Sequence, residues 1–285
     1  MLVLVRPPGP AFRDAISNHP DAGQIDVDRA QLEHAAFCHA LEAVGIPLLR
    51  LPEEPGLPDA TFVSDTLIAL PSLIPDRAPI VVVARPALPA RRAEVQSVLR
   101  AAMPHLPPDA RLLAVEEPGT LEGGDVVIYG DRLAIGVSGR TDDPGARVLA
   151  EAARSVGYRP FLCPVSDRLH LATAVTAVTP DTLIGTAAGF ASLDAGRSEA
   201  GGLDGPGSGA AGHAALPDTF HRLVLPDEEF LGANVLAIAG HAFLDSRSPV
   251  AARLLGEVGL TVHLLELEQF ALADGGPTCL VNILP

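Results

Sequence analysis

The hydrophobic residues of this chain fall in short runs, and one order of elements recurs along it. Each unit has two short apolar runs joined by a tight turn, then a helical stretch, a glycine and a third run. The clearest unit comprises Val126–Tyr129, Arg132–Val137, a helix over 144–155 and a strand over 159–163. Gly157 closes its helix, as expected of a left-handed helix cap.

Other parts of the chain repeat this order. The predicted strands are 66–70, 80–84 and 111–115 around a helix over 91–103, then 235–239, 242–244 and 260–265 around a helix over 249–257, and a first helix over 28–44 leads to a strand over 46–51. Four or five copies of unequal length favour a repeated α/β architecture that closes into a propeller-like ring. We predict one domain over 1–285.

One stretch departs from the pattern. Residues 194–216 are rich in Gly and Ala and lack hydrophobic periodicity. This composition predicts a flexible surface insertion, with a functional lid as the alternative.

Composition narrows the classes of partner. The 285 residues are 48% hydrophobic and carry a formal net charge of −15. The negative charge argues against nucleic acid and anionic membrane as partners and is compatible with a small cationic ligand. No apolar run is long enough to span a bilayer, and residues 1–5 read as a first strand rather than a signal peptide. Three widely spaced cysteines form no disulfide framework, so we expect a cytoplasmic location.

Cys279 and His170 are the candidates for covalent chemistry. Cys279 ends the segment Asp-Gly-Gly-Pro-Thr-Cys before a terminal strand, a place that suits a partly exposed nucleophilic thiol. A small buried hydrophobic residue is the alternative, and it suits Cys38 and Cys163. His170 stands between two leucines after a turn and is either an acid–base group or an ordinary packed histidine.

Several acidic residues sit at predicted strand entries. Glu122 and Asp125 flank two glycines, and Asp59 and Asp65 bound a short apolar run. Carboxylates bind a guanidinium group through paired hydrogen bonds, and glycines allow a ligand to come close. Acidic surface turns are the alternative for each.

Two arginines follow strands at equivalent places in two units. Arg85 and Arg140 would point to a shared end of a ring and could clamp a substrate carboxylate, with solvated surface arginine as the alternative. The nine histidines show no zinc-type spacing, so no metal site is predicted.

In their order along nearly the whole chain, these segments resemble the dimethylarginine dimethylaminohydrolases of the arginine-deiminase-like (pentein) superfamily. The matching segments are PDATFVSD at 58–65, ARP with RRAE within 85–94, LEGGD at 121–125, SGRTD at 138–142, LHLAT at 169–173, AN at 233–234 and GGPTC at 275–279. The resemblance implies a pentein α/β propeller, with five ββαβ-type repeats around a central active site.

The resemblance also implies roles for individual residues. Cys279 matches the nucleophile, His170 the general acid–base residue, Glu122 and Asp65 the carboxylates on the guanidinium, Asp59 the contact to the α-amino group, Arg85 and Arg140 the groups that bind the α-carboxylate, and Phe12 a hydrophobic lid position. The sequence departs from the family at Ser64, where an acid usually precedes the residue matched to Asp65. This bears on the exact substrate more than on the reaction type.

The implied reaction is hydrolysis of Nω-methylated arginine to citrulline and dimethylamine through a thiouronium on Cys279, without metal or organic cofactor. Arginine deiminase or another guanidino hydrolase is the alternative within this chemistry, and the chain is shorter than expected for an amidinotransferase. A non-catalytic pentein that binds a macromolecule is the non-enzyme alternative. The expected partner is a small cationic amino acid, and a homodimer is left open.

Overall fold

The computed structural model describes residues 1–166, 168–199 and 220–285. Its strands are β1 (Leu2–Val5), β2 (Leu48–Arg50), β3 (Leu67–Leu70), β4 (Ile80–Val83), β5 (Arg111–Ala114), β6 (Val126–Tyr129), β7 (Arg132–Val137), β8 (Arg159–Pro164), β9 (Val175–Thr179), β10 (Thr182–Thr186), β11 (His221–Leu225), β12 (Leu236–Ile238), β13 (His241–Asp245), β14 (Thr261–Leu265) and β15 (Asn282–Leu284). Its helices are α1 (Val27–Ala43), α2 (Arg92–Ala102), α3 (Asp143–Ser155), α4 (Ala187–Glu199), α5 (Pro249–Glu257) and α6 (Glu268–Ala271). None of these helices has the length and apolarity needed to cross a bilayer.

The strands form five sheets of three strands each. In each sheet one outer strand pairs antiparallel with the middle strand, and the middle strand pairs parallel with the other outer strand through a helical crossover. The first sheet is built from both chain ends, because β15 pairs with β1. The fold therefore joins its first and last repeats through backbone hydrogen bonds.

The middle strands carry the apolar runs that the sequence shows most clearly. β4 is Ile-Val-Val-Val and is buried along its whole length, which is typical of a strand covered on both faces. The outermost strand of the same sheet, β5, is exposed at all four positions. Within this sheet, burial thus falls from the middle strand to the outermost strand.

A short 3₁₀ turn precedes the innermost strand of every sheet. These five turns are Val63–Asp65, Gly123–Asp125, Leu171–Thr173, Asp227–Ala233 and Pro277–Leu280. Hydrogen bonds join each turn, or the residues that directly follow it, to the next turn: Gly124 N to Asp65 Oδ1 at 2.8 Å, Leu171 N to Asp125 Oδ1 at 3.0 Å, Thr176 Oγ1 to Ala233 O at 2.7 Å, Thr278 N to Asn234 Oδ1 at 3.0 Å, and Asn282 Nδ2 to Val63 O at 3.1 Å. The turns therefore form a closed ring.

The predicted fold class is confirmed, and two details of the prediction are wrong or incomplete. The sequence pattern did not identify the fourth repeat, which consists of β9, β10, α4 and β11. Residues 194–199 are not part of a flexible insertion, because they belong to α4. A Cβ at Gly196 would lie 2.2 Å from Leu162 O, so a small residue lets α4 pack directly on β8 and leaves no hydrophobic periodicity. Residues 200–216 of the predicted insertion lie outside the described residues.

Candidate active site

The ring of turns brings the predicted reactive side chains to one small cavity. Asp65 ends the first turn, His170 immediately precedes the third, and Cys279 lies in the fifth. Their side chains line a cavity of about 20 Å³, together with Asp59 and Arg140. Repeats that share little sequence therefore place their chemistry at equivalent positions.

His170 and Glu122 form a buried pair beside this cavity. His170 Nε2 lies 3.0 Å from Glu122 Oε2, and both side chains are almost fully buried. Burial lowers the pKa of His170, but the nearby carboxylates of Asp65, Asp125 and Glu122 outweigh it and raise that pKa to about 9. At neutral pH the imidazole is therefore protonated and donates Nε2–H to Glu122.

The two glycines of the LEGGD segment allow neighbouring parts of the ring to pack closely against this turn. A Cβ on Gly123 would lie 2.0 Å from Ser64 O, and one on Gly124 would lie 2.6 Å from His170 Nδ1. The sequence analysis assigned these glycines to close approach of a substrate. The structure corrects this, because the groups that come close are the neighbouring turn and the imidazole.

Cys279 is partly exposed at the cavity, whereas Cys38 and Cys163 are buried, as predicted for them. Burial raises the pKa of the Cys279 thiol, and the carboxylate of Asp65 raises it further. Hydrogen bonds from Asn234 and from its own turn act in the opposite direction. The thiol thus needs a nearby cation or donor to ionise at neutral pH.

Arg91 is a residue of this cavity that the sequence analysis missed. Its Nη1 lies 3.0 Å from Asp65 Oδ2 and 3.0 Å from Glu122 Oε2, its Nη2 lies 3.0 Å from Glu94 Oε2, and its Nε lies 3.7 Å from Asp59 Oδ2. All five side chains are almost completely buried. The two carboxylates matched to guanidinium binding therefore hold a guanidinium of the protein itself.

The same contacts bear on metal binding. Asp65, Glu122 and His170 offer ligand atoms within 4.8 Å of one another, a set that could hold a metal ion. Arg91 Nη1 contacts both carboxylates at 3.0 Å and so already supplies the positive charge at that position. The donor set thus fits a guanidinium.

The two arginines predicted to bind a carboxylate differ in placement. Arg140 lines the cavity, and its Nη1 lies 3.6 Å from Glu122 Oε1 with no hydrogen-bond partner. Arg85 does not line the cavity. It donates to Gly119 O at 3.0 Å and lies 3.3 Å from Glu117 Oε2, so it holds the loop before β6. The prediction for Arg85 used its position after a strand and the family resemblance, and neither fixes the direction of a long side chain.

The prediction of Phe12 as a lid residue is also wrong. Phe12 is fully buried and packs against Phe62 and Phe270, at ring-centroid distances of 5.9 Å and 5.3 Å. Ile16, four residues later in the same loop, lines the cavity and is 37% exposed, and its N–H donates to Asp59 Oδ1 at 3.1 Å. The loop after β1 thus reaches the cavity through Ile16, and Phe12 anchors it to the core.

A larger cavity of about 130 Å³ lies beside the first and shares Leu169, Asp274 and Gly275 with it. Its lining is mostly apolar and includes Phe230 and Pro277. Cys279 and His170 do not line it, whereas both line the smaller cavity.

Known proteins resemble this chain over nearly its full length, although no protein-family model matches it. The N(G),N(G)-dimethylarginine dimethylaminohydrolase of Streptomyces coelicolor is 32% identical over 285 residues, which cover 97% of this chain and 94% of the relative. The protein of the same name from Pseudomonas aeruginosa is 24% identical, covering 98% and 97%.

Solved structures agree in fold. A Pseudomonas aeruginosa dimethylarginine dimethylaminohydrolase, a cysteine-to-serine mutant complexed with citrulline, superposes with a TM-score of 0.79 at 22% identity and covers 98% of this chain and 97% of its own. The N-terminal domain of a cyanobacterial arginine dihydrolase gives a TM-score of 0.76 at 15% identity, covering 99% and 97%. With the relative that is 32% identical over nearly its whole length, these findings establish that the chain belongs to the dimethylarginine dimethylaminohydrolase family.

Proposed function

We propose that this enzyme hydrolyses Nω-methylated arginine to citrulline and a methylated amine, with Cys279 as the nucleophile. The observation that carries the proposal is the meeting of a partly exposed thiol, a protonated buried imidazole and several carboxylates in one cavity. Such a site combines attack on a guanidino carbon with protonation of the departing amine.

Recognition of the guanidinium follows from what the carboxylates already hold. Asp65 and Glu122 bind the planar guanidinium of Arg91 through charge-assisted hydrogen bonds, the interaction that a substrate guanidinium requires. The cavity of about 20 Å³ has room for about one water molecule, which needs roughly 10–15 Å³ of such space, and Arg91 occupies both carboxylates. Substrate entry therefore requires Arg91 to leave at least one of these carboxylates, while Glu94 and Asp59 remain as partners.

The amino-acid end of the substrate has its own partners at the cavity. The Asp59 carboxylate faces the loop that contains Ile16 and suits an α-ammonium group. Arg140 has an Nη1 without a hydrogen-bond partner and suits an α-carboxylate. When substrate displaces Arg91, its guanidinium supplies a second cation near the substrate α-carboxylate. This is the role that was predicted for Arg85.

The chemical steps follow from the charges. A bound guanidinium places a cation beside Cys279 and favours its thiolate. The sulfur attacks the guanidino carbon, the bond from that carbon to the methylated nitrogen breaks, and His170 gives its proton to the leaving amine. His170, now neutral, takes a proton from water, whose oxygen attacks the thiouronium carbon. The carbon–sulfur bond then breaks as the hydroxyl proton passes to the sulfur, and citrulline and the Cys279 thiol are released.

Arginine itself, or another guanidino compound, is the alternative substrate, because the same groups would act on it. Ser64, which stands where the family usually has an acid, does not line the cavity, and its buried Oγ has no hydrogen-bond partner. The acidic groups that line the cavity are Asp59, Asp65 and Asp274, with Glu122 behind them. A cytoplasmic location and a homodimer remain predictions.

Release of citrulline from asymmetric dimethylarginine, monomethylarginine and arginine, measured in parallel with and without a chelator, tests the proposal. We expect citrulline from the methylated substrates irrespective of chelator, and none from a correctly folded Cys279→Ser variant. Turnover of arginine alone would indicate a deiminase. Undiminished turnover by Cys279→Ser would overturn the mechanism.

A further inference from the structure

One of the five turns contributes a side chain to which the mechanism gives no role. Asp65, Glu122, His170 and Cys279 each lie in or beside a turn of the ring, and Asn234 ends the remaining one. Asn234 is only 6% exposed. The AN segment at 233–234 was part of the family resemblance, yet no function followed from it.

The hydrogen bonds of Asn234 fix the orientation of its amide. Its Oδ1 accepts from Thr278 N at 3.0 Å and from Thr278 Oγ1 at 2.9 Å. A backbone N–H can only donate, so the atom facing it has to be the amide oxygen. The amide nitrogen therefore faces Cys279, and Nδ2 lies 3.6 Å from Sγ.

The backbone around Cys279 is shaped for this approach. A Cβ at Gly276 would lie 2.7 Å from Asn234 Cγ and 2.8 Å from Oδ1, closer than Cβ atoms come to other atoms. Only glycine at this position lets the turn before Cys279 pack directly on the amide. Gly276 and Thr278 together fix the distance between Asn234 and the sulfur.

We propose that Asn234 is a positioning residue that holds the Cys279 sulfur towards the cavity and stabilises its thiolate by donating an amide N–H. This role rests on the proposed function of Cys279 as a nucleophile. The amide is needed because the cavity is rich in carboxylates.

The charged groups facing Cys279 show why a neutral donor suits this place. The cavity contains Asp59, Asp65, Arg91, Arg140 and His170 from four other parts of the chain, and Asp274 from the segment that contains Cys279. Arg91 is engaged by carboxylates, and the His170 proton is directed to Glu122. The Asn234 amide forms none of these ion pairs and does not titrate, so it can donate to the sulfur at any pH.

Alkylation of Cys279 by iodoacetamide as a function of pH tests the proposal without substrate turnover. The modified cysteine is identified by peptide mass, and the buried Cys38 and Cys163 report unfolding. Asn234→Asp keeps the oxygen that accepts from Thr278 but turns an acceptor towards the sulfur. We expect its alkylation midpoint to rise by about one to two pH units or more, because a hydrogen bond to a charged group is lost and a carboxylate is added beside the sulfur.

One further variant and a control separate positioning from stability. Gly276→Ala pushes the amide away and is expected to raise the midpoint as well, with a lower kcat and little change in KM. Gln96→Glu adds one negative charge on the exposed face of α2 and is expected to keep the wild-type midpoint. Wild-type midpoints in both Asn234→Asp and Gly276→Ala, whatever their melting temperatures, would overturn the proposal. If the variants show raised midpoints but the wild-type protein releases no citrulline from any substrate, the role of Asn234 is supported and the proposed function is refuted.

Discussion

Replacing Arg91 with methionine tests the central arrangement of charges. Arg91 is the cation shared by four buried carboxylates, with three nitrogen–oxygen contacts of 3.0 Å. Each contact gives on the order of 4 kcal/mol of attraction at an effective dielectric constant of about 20, before the cost of desolvation. Removing one partner of a buried pair leaves the others unpaired, which typically costs about 3–5 kcal/mol. We expect Arg91→Met to lower the free energy of unfolding by this amount at pH 8.

The loss should depend on pH. The Arg91 and His170 cations outweigh the effect of burial on Asp65 and keep its pKa low in the folded protein. That stabilisation is present above the unfolded pKa of about 4 and is lost as pH falls. Without Arg91 the carboxylates take up protons more readily. The difference in the free energy of unfolding between Arg91→Met and wild type should therefore be smaller at pH 5 than at pH 8.

Urea denaturation of both proteins at pH 5 and pH 8 measures these differences. Arg253→Met is the matched control, because it removes an exposed ion pair with Glu257 in which both side chains are more than half exposed. Such pairs contribute at most about 1 kcal/mol. An Arg91→Met loss as small as that of Arg253→Met, or one equal at both pH values, would refute the reasoning.

Three further predictions concern other residues of the site. Phe12→Ala should lower the free energy of unfolding by about 3–5 kcal/mol, as expected for a buried aromatic ring, whereas Ile16→Ala should keep stability and raise KM; urea melts and steady-state kinetics measure both. Arg140→Gln should raise KM for substrates with an α-carboxylate, and Arg85→Gln should leave KM unchanged, so equal increases would contradict the assignment. The pKa of His170 is raised to about 9 from an unfolded value of about 6.5, so its contribution is full below pH 6.5 and is lost as pH rises through 9. The free energy of unfolding should therefore fall on the order of 3 kcal/mol more in wild type than in His170→Gln between pH 6 and pH 10, and parallel curves would be evidence against the raised pKa.

The repeated fold could be predicted because its signals are local. The bounds of β6, β7 and α5 follow from apolar runs and from turn residues within a few positions. α4 was missed because its glycines and alanines pack by close backbone approach, which leaves no pattern of large apolar residues. The sequence thus predicts elements better where large side chains fill the core.

The site was predicted in part, and for a different reason. Cys279 and His170 carry chemistry that few other residue types offer, so their type and motif identify them. Arg91 and Arg85 are equally charged and only six positions apart, and what separates them is a set of carboxylates from other turns. Asn234 is neutral, so only the folded ring shows that its amide faces the thiol.

The claim that Cys279 attacks the guanidino carbon is tested most directly by trapping the intermediate. Enzyme turning over asymmetric dimethylarginine would be quenched in acid within milliseconds, digested and analysed by peptide mass. We predict one adduct, on the peptide that contains Cys279, with the mass of the substrate less dimethylamine, and its decay to citrulline in the unquenched reaction. Citrulline release without any adduct on Cys279, or with an adduct on another residue, would contradict the account.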